Sequence, residues 1–421
     1  MYSRATLPNG IRILTAPMPH VRSVSLGYFF TVGSRYESDV EAGVSHLIEH
    51  MLFKGSERFP TAQLISETIE GVGGLLDAGT DKELTVYSAR LASQHFDLAM
   101  GLISDMVRHP RFEAPELEKE RRVIIEELGM YRDSPAEWVG VLGDETFWAG
   151  RPLGREVAGT RESVEALTRT AMEDYWQRHY VPGALVLTVG GDVTHERVVE
   201  TAERLLGDWT GGASPLWTPS PPSADGARVR LETRRTEQTN FCLFAAGIPH
   251  RDDDDYAMWL MNIILGDGMS SRLFLEVRER QGLAYDVGTS PVHFHDTGAF
   301  VVSAGVEPRR TEAALRAILT ELDRLRDEPP AEAELRRAKE YAKGRLVLGL
   351  EDSGRVASWL GTQEALLGEI RELDATLARL DAVAAADIQR LAQRIFTDDS
   401  LRLAVIGPNK DTAKLERLLH L

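Results

Sequence analysis

The chain has 421 residues, of which 43% are hydrophobic and 27% are charged, and its formal net charge at pH 7 is −17. Its length predicts more than one domain, its acidic balance argues against nucleic acid as a partner, and the lack of any apolar run of about 18 residues argues against a membrane span. The single cysteine, Cys242, and an N-terminus without a signal-peptide pattern predict a cytoplasmic protein.

The first half mixes short strands with helices. "GIRILTAP" (10–17) and "VSLGYFFTVGS" (24–34) predict strands, because β-branched and aromatic residues dominate them. Residues 75–92 predict extended chain, and a longer helix is expected from Pro115. Three further windows predict helices: 44–54, 61–71 and 94–107. Since strands and helices do not alternate regularly, we predict an α+β fold rather than a doubly wound α/β fold.

The helix predicted at 44–54 contains two histidines and a glutamate, His46, Glu49 and His50, in the order H-x-x-E-H. On a helix the two histidines leave the same face one turn apart, so both imidazoles could reach one Zn²⁺ ion. Glu49 borders that face and could contact a water on the metal without coordinating. This is the order of an inverted zinc-peptidase motif, although so short a pattern also arises by chance in ordinary core helices.

A third ligand is expected on the helix predicted at 115–132. Glu120 and Glu127 fall on its apolar stripe, where a carboxylate is costly unless it is paired or bound to a metal. Glu127 is therefore the predicted ligand, and Glu120 could accept an N–H from a ligating histidine. Glu126 points about 100° away and is predicted to be solvated. The alternative is an ordinary amphipathic helix with charges at its margin.

The segment 207–227 is rich in proline, glycine and serine and shows no sustained periodicity. It predicts a linker at 209–227 between an N-terminal domain, 1–208, and a C-terminal domain, 228–421.

The two halves also resemble each other. Residues 163–191 and 379–407 align without gaps at a constant offset of 216, each reading as an amphipathic helix, a turn and an apolar strand that ends at glycine. Arg178 aligns with Arg394, and Tyr180 with Phe396. This match indicates an internal duplication.

Four successive aspartates occupy 252–255 in "RDDDDY". They lack the alternating ligands and the glycine of a calcium loop. The pattern therefore favours a solvated loop.

Taken with their surroundings, these motifs resemble one family. His46, Glu49 and His50, followed after 76 intervening residues by Glu127, are similar to the signature of the pitrilysin-type zinc peptidases, in the half-size, processing-peptidase-like branch. "LLDAGTDKELTVY", "EKERRVIIEEL" and "LGDGMSSRLFLEVRERQGLAY" agree with this, so the resemblance covers nearly the whole chain. It implies two related α/β-sandwich domains per chain, and paired chains that close around a large chamber.

The resemblance also implies roles for individual residues. His46, His50 and Glu127 would bind one zinc ion per chain, Glu49 would be the general base, and Glu120 would assist as a further catalytic carboxylate. The second half has no H-x-x-E-H motif, so a second zinc ion is not expected.

Three more residues are implied to contact substrate. Arg278 and Tyr285, seven residues apart, are similar to a pair that holds substrate carbonyls or the developing oxyanion. Asp77 stands where the family commonly has asparagine, and aspartate has no amide N–H to donate. The residues 75–91 could still bind peptide by strand addition. Because one chain carries both the zinc motif and the Arg–Tyr pair, a homodimer with the pair supplied in trans is expected.

The expected function is that of a zinc-dependent endopeptidase acting on unfolded peptides or small polypeptides. Three alternatives remain open: a non-catalytic assembly subunit of the same fold, the catalytic chain of a heterodimeric processing peptidase, and a metal-independent peptide-binding module. The first predicts a broken metal motif and the second a missing Arg–Tyr pair. Function that persisted after Glu49→Gln would indicate the third.

Overall fold

The computed structural model describes residues 2–223 and 226–421, so that Ala224 and Asp225 of the predicted linker lie outside the described residues. The strands are β1 (Ser3–Thr6), β2 (Arg12–Pro17), β3 (Ser23–Phe30), β4 (Leu75–Thr80), β5 (Thr85–Ala92), β6 (Leu185–Gly191), β7 (Val229–Thr233), β8 (Thr239–Ala246), β9 (Ala284–His293), β10 (Gly298–Val306) and β11 (Arg402–Gly407). The helices are α1 (Val44–Leu52), α2 (Ala62–Glu70), α3 (Phe96–Arg108), α4 (Ala114–Asp133), α5 (Pro135–Phe147), α6 (Arg161–Ala166), α7 (Arg169–His179), α8 (His195–Leu206), α9 (Asp255–Leu265), α10 (Thr311–Asp327), α11 (Glu332–Gly349), α12 (Ser353–Leu366), α13 (Leu373–Ala382), α14 (Ala385–Ile395) and α15 (Thr412–Glu416). Among the described residues, no helix is long and apolar enough to cross a bilayer.

The predicted α+β class and the duplication of a related unit are confirmed. The helix predicted at 44–54 is α1, and the one predicted from Pro115 is α4, which begins one residue earlier. The extended chain predicted at 75–92 is a hairpin, in which β4 and β5 pair in antiparallel fashion across a short turn. Strand β1 was not predicted; it pairs with β2 at the sheet margin.

The first unit contains a six-stranded sheet with the order β1-β2-β6-β3-β5-β4, so that β4 is an edge strand. One face packs against a large core to which α1 and α3 contribute. The other face is covered by α12, whose Leu360 packs with Phe29 and Val186. Because both faces of the sheet are covered, the central strand β6 is buried along its whole length, as its apolar sequence indicates.

The second unit contains a five-stranded sheet with the order β7-β11-β8-β10-β9. One face of this sheet is covered by α5, where Leu142 and Phe147 pack with Phe244 and Ile406. Each unit therefore includes a helix from the other half of the sequence: Gly129–Arg155 belongs to the second unit, and Val347–Ile370 belongs to the first. The domain boundaries drawn around a linker at 209–227 stay a prediction.

The duplicated arginines have the same structural role in both units. Arg178 on α7 forms an ion pair with Glu41, just before α1. Its counterpart Arg394 on α14 pairs with Asp252 at 2.8 Å and with Asp254 at 3.2 Å, just before α9.

The interpretation of the run 252–255 as a solvated loop is therefore wrong. Asp254 is buried and also binds Arg390 through both carboxylate oxygens, at 2.9 and 2.6 Å. Burial works against ionisation of Asp252, but its hydrogen bonds to Arg394 outweigh that effect and lower its pKa. The run anchors α9 to α14.

Candidate active site

The position of α1 is fixed at its N-terminus by a buried glutamate. One carboxylate oxygen of Glu37 accepts the N–H of Gly43 at 2.9 Å, and the other accepts the N–H of Ser45 at 2.8 Å. These bonds satisfy helix N–H groups that have no partner within the helix, and they place negative charge at its positive end. Gly43 has φ 91°, and a Cβ there would lie 2.6 Å from the carbonyl oxygen of Ala158. Only glycine fits this turn into α1.

The apolar side of α1 is buried, which leaves its polar residues at the margin of the core. Val44, Leu47, Ile48 and Met51 are fully buried. His46 and His50, one turn apart, are half-buried, and their ring centroids are 4.6 Å apart. Burial and the nearby His50 lower the pKa of His46 to about 4, so its imidazole is neutral at pH 7, as metal binding requires.

Helix α4 brings Glu127 to the two histidines. Its Oε2 lies 3.9 Å from His46 Nε2 and 3.7 Å from His50 Nε2, and one ligand atom from each residue lies within 4.8 Å of the other two. Tetrahedral zinc bonds of about 2.0–2.2 Å place ligand atoms roughly 3.3–3.6 Å apart, slightly closer than these spacings. Two imidazoles and one carboxylate are a donor set of catalytic zinc sites, so the residues fit this ion. Glu126 is exposed on the same helix, as predicted.

Glu120 joins a histidine to a lysine that the sequence analysis did not identify. Its Oε2 lies 3.0 Å from His50 Nδ1, and its Oε1 lies 2.9 Å from Lys54 Nζ. Burial tends to raise the pKa of Glu120, but the hydrogen bonds from His50 and Lys54 outweigh it and lower the pKa. A carboxylate at Nδ1 leaves Nε2 of His50 as the free ligand atom, on the side where Glu127 lies.

Glu49 is held by a threonine on the edge strand. The hydroxyl of Thr80 on β4 donates to Glu49 Oε2 at 2.5 Å. Burial raises the pKa of Glu49, partly offset by that hydrogen bond and by His50, which favours a carboxylate that can take up a proton. Thr80 was missed at the sequence level. The alternation of β4 was the available signal, because Thr80 lies on the face of the sheet that packs against α1.

The structure places Asp77 on the same edge strand, exposed, with its side chain accepting the N–H of Ala78 at 3.0 Å. It lies three positions before Thr80 along β4. It is therefore next to the candidate site in sequence, but it lies on the opposite face of the strand.

Arg278 and Tyr285 are brought together in the second unit. The guanidinium carbon of Arg278 lies 4.8 Å from the ring centroid of Phe274 and 5.5 Å from that of Tyr285. Arg278 lies in a π-helix, Phe274–Arg280, a rare conformation that is frequent at functional sites. Tyr285, at the start of β9, is 75% exposed, whereas tyrosine side chains are on average of intermediate burial.

The second unit repeats one contact of the site without the two histidines of α1. Thr289 on β9 donates its hydroxyl to the side chain of Asn262 on α9 at 2.7 Å, as Thr80 on β4 does to Glu49 on α1. When Glu49 is aligned with Asn262, Trp259 and Ile263 stand where the first unit has its two histidines.

Comparison with known proteins gives a consistent result. The family model described as "Insulinase (Peptidase family M16)" matches residues 12–161, and "Peptidase M16 inactive domain" matches residues 166–341. A Streptomyces coelicolor protein named as an uncharacterized zinc protease is 37% identical over 414 residues, covering 97% of this chain and 90% of the relative. One from Bacillus subtilis with the same description is 32% identical over 409 residues, covering 97% and 99%.

Solved structures share the fold at lower identity. A protease from Helicobacter pylori superposes with a TM-score of 0.92 at 21% identity, covering 97% of this chain and 99% of that one. A chain of complex III from Candida albicans superposes with a TM-score of 0.85 at 20% identity, covering both chains fully. At these identities the likeness shows the fold alone.

Proposed function

Because the chain belongs to peptidase family M16, as its motifs indicated, we propose that it is a zinc-dependent endopeptidase with its active site on α1 and α4. The observation that carries this proposal is the convergence of His46, His50 and Glu127. The carboxylate of Glu49 is close enough to interact electrostatically with His50 and Glu127. Residues separated by more than a helix and a hairpin in sequence thus form one donor set.

Zinc held by His46, His50 and Glu127 would polarise a peptide carbonyl and make a coordinated water acidic enough to attack near neutral pH. Glu49 receives the proton of the attacking water at Oε1, because Thr80 holds Oε2. The same oxygen then passes the proton to the leaving amine. The burial that raises the pKa of Glu49 suits both steps.

The substrate is proposed to bind as an added strand. β4 is the edge of its sheet, and its Thr80 contacts the general base directly. An extended peptide that pairs with this edge is read through its backbone, so the enzyme would accept unfolded chains of varied sequence. If a chamber of two chains encloses the site, a denatured substrate is cleaved and its folded form is not. Equal cleavage rates for the two forms would contradict the chamber.

We assign the stabilisation of the developing oxyanion to Arg278 and Tyr285, supplied by the second chain of a homodimer. The argument is chemical: a guanidinium and an exposed phenol next to each other can both donate to an oxygen that gains negative charge. Mixing an R278A chain with an E49Q chain tests the trans arrangement, since each mixed dimer would then contain one complete site. Activity that is not regained on mixing would contradict it.

The decisive experiment for the activity combines metal analysis with hydrolysis of a mixed peptide library. Wild type is expected to bind one zinc ion per chain, and His50→Ala and Glu127→Gln are expected to lose most of it. Glu49→Gln is expected to keep the metal and to lose hydrolysis. A Glu49→Gln variant that still cleaves peptides would refute the proposed mechanism.

A non-catalytic assembly subunit is the main rival. That role places no demand on the metal ligands, the general base or the arginine–tyrosine pair. All of these residues are present in this chain, and the convergence of the ligands supports catalysis over assembly.

A further inference from the structure

The edge of the first sheet has two faces, and only one of them belongs to the active site described above. Thr80 faces α1 and Glu49. Side chains alternate along a strand, so Leu75 and Asp77 of β4 point to the opposite face. A peptide that pairs with β4 therefore presents every second side chain to this opposite face.

A cavity of about 290 Å³ opens on that face; we call it the Asp77 cavity. Its floor is the sheet, where Asp77 is paired with Ser88 and Leu75 with Arg90. Its wall is the N-terminal part of α12, which contributes small residues such as Ala357. The cavity is large enough for one long side chain and extends to the strand edge where the peptide would lie.

The helix that forms the wall is set at a short distance from the sheet. Gly361 on α12 packs directly on the ring of Phe29, where a Cβ would lie 2.2 Å from a ring carbon. Ser353 at the start of α12 lies 2.9 Å, hydroxyl to hydroxyl, from Ser25 on β3. These contacts hold α12 against β3. The space between α12 and the strands β4 and β5 therefore results from the backbone packing.

The charge of the Asp77 cavity is not balanced within the described residues. The one cation in its lining, Arg90, forms an ion pair with Asp352 at 2.7 Å. The other oxygen of Asp352 accepts the backbone N–H groups of Gly354 and Arg355, so this aspartate also caps α12. Among the described residues, the carboxylate of Asp77 accepts a hydrogen bond from the backbone N–H of Ala78 and forms no ion pair. Its carboxylate is therefore the uncompensated charge in the lining.

We propose that the Asp77 cavity is a subsite that selects lysine or arginine in the substrate, with Asp77 as the specificity-determining residue. The inference rests on the proposed function, because it assumes that a peptide pairs with β4. An extended strand rises about 3.3 Å per residue, so Asp77 lies roughly 10 Å along β4 from Thr80. The selected cationic side chain is therefore about three residues away from the one opposite Thr80.

Hydrolysis of matched peptides tests the selection. In a fluorogenic alanine-rich peptide, one lysine is moved through the four positions on each side of the cleaved bond, with norleucine at the same position as the uncharged control. We expect kcat/KM to be roughly tenfold higher for lysine than for norleucine at one position, as for a charge-assisted hydrogen bond in a partly open site. Asp77→Asn is expected to bring this ratio close to one, and Asp77→Lys to favour glutamate at that position.

A matched control removes the same charge elsewhere. Asp374→Asn makes the same chemical change on the exposed surface of α13, and it is expected to keep the wild-type ratio. If Asp374→Asn lowered the lysine preference as much as Asp77→Asn does, the preference would come from the net charge of −17, and the subsite would be wrong.

Binding provides a readout that does not depend on turnover. The dissociation constants of the lysine and norleucine peptides are measured by fluorescence anisotropy with Glu49→Gln and with the double variant that adds Asp77→Asn. Tighter binding of the lysine peptide by Glu49→Gln, lost in the double variant, supports the subsite even if no hydrolysis is found. Equal ratios in both variants overturn it, and they do so whether or not the wild type proves to be a peptidase.

Discussion

The carboxylate of Glu120 is expected to act through His50, and Glu120→Gln is the change that tests this. Glu120 accepts from His50 at Nδ1 and from Lys54 at Nζ, one oxygen for each. A glutamine side chain has one oxygen and one NH₂ group, so it cannot accept from both partners. The variant therefore loses one of the two contacts and also leaves Lys54 without its counter-charge.

The expected losses in zinc affinity and in folding stability follow from the positions of His50 and Lys54. Removing the outer partner of a ligating histidine typically weakens metal binding 10- to 100-fold, which corresponds to about 1.4 to 2.7 kcal/mol. Lys54 is 26% exposed and can be hydrated, so its lost ion pair costs only about 1 kcal/mol of folding stability. We therefore expect a large loss in zinc affinity together with a small loss in the free energy of unfolding.

The assay is a zinc titration against a chelator of known affinity, with urea unfolding of the apoprotein in parallel. Glu126→Gln is the matched control, since it makes the same substitution on the same helix at an exposed position. Excess zinc is expected to restore most of the peptidase activity of Glu120→Gln. If its zinc affinity lay within twofold of the wild-type value, Glu120 would have no role in holding His50.

Three further changes test other contacts. Thr80→Val is expected to lower kcat about tenfold without changing zinc content, because it removes the donor to Glu49, whereas Thr80→Ser is expected to keep most of the activity. Gly43→Ala is expected to lower the free energy of unfolding by about 1–3 kcal/mol, measured by urea denaturation, because φ is 91° at this position and a Cβ there would meet a carbonyl oxygen. Glu334→Gln is expected to cost about 1–2 kcal/mol at pH 7, because Arg272 binds both oxygens of Glu334 and, against the effect of burial, lowers its pKa. A lowered pKa stabilises the fold above the ordinary glutamate value of about 4.3, so this difference should be constant from pH 7 to about 5.5 and should shrink as the pH falls below about 4.

The parts of the site that the sequence predicted are those that depend on helical periodicity. His46 and His50 are four residues apart, and Glu127 lies on the apolar stripe of α4. Assuming a regular α-helix for each segment was therefore enough to place the two histidines on one face of α1 and Glu127 on the buried face of α4. The structure places the three together without any irregularity in α1 or α4. Local geometry carried this part of the prediction.

The parts that the sequence did not predict depend on tertiary contacts between charged groups. Lys54 could not be paired with Glu120 from spacing alone, because α1 and α4 are far apart in the chain. The sequence pattern predicts extended chain across the turn between β4 and β5, since Lys82 and Glu83 show no turn signal. In the structure both residues are buried, and Glu83 forms an ion pair with Arg35 at 2.5 Å. Nothing in the local pattern reveals that a charged turn is held in this way.

The sequence also does not predict that α5 and α12 each pack in the unit formed mainly by the other half of the chain. Both helices follow a long helix, α4 or α11, with little or no loop. Only the packing of α5 on β8 and β11, and of α12 on β3 and β6, decides where each belongs. Apolar periodicity identifies a buried face but not the surface that buries it.

Both units retain a hydrogen bond from an edge-strand threonine to a helix side chain. Comparing the two shows which part of this contact serves packing and which part is available for catalysis. In each unit a threonine on an edge strand donates to a helix side chain, to Glu49 on α1 in one unit and to Asn262 on α9 in the other. An asparagine satisfies this hydrogen bond as well as a glutamate does, so the bond alone fixes the helix against the edge strand and does not call for a carboxylate. Replacing Glu49 by glutamine therefore leaves the packing of α1 intact, and any loss of hydrolysis in that variant reports on proton transfer. The same reasoning explains why one unit can keep its fold with Trp259 and Ile263 in place of the two histidines.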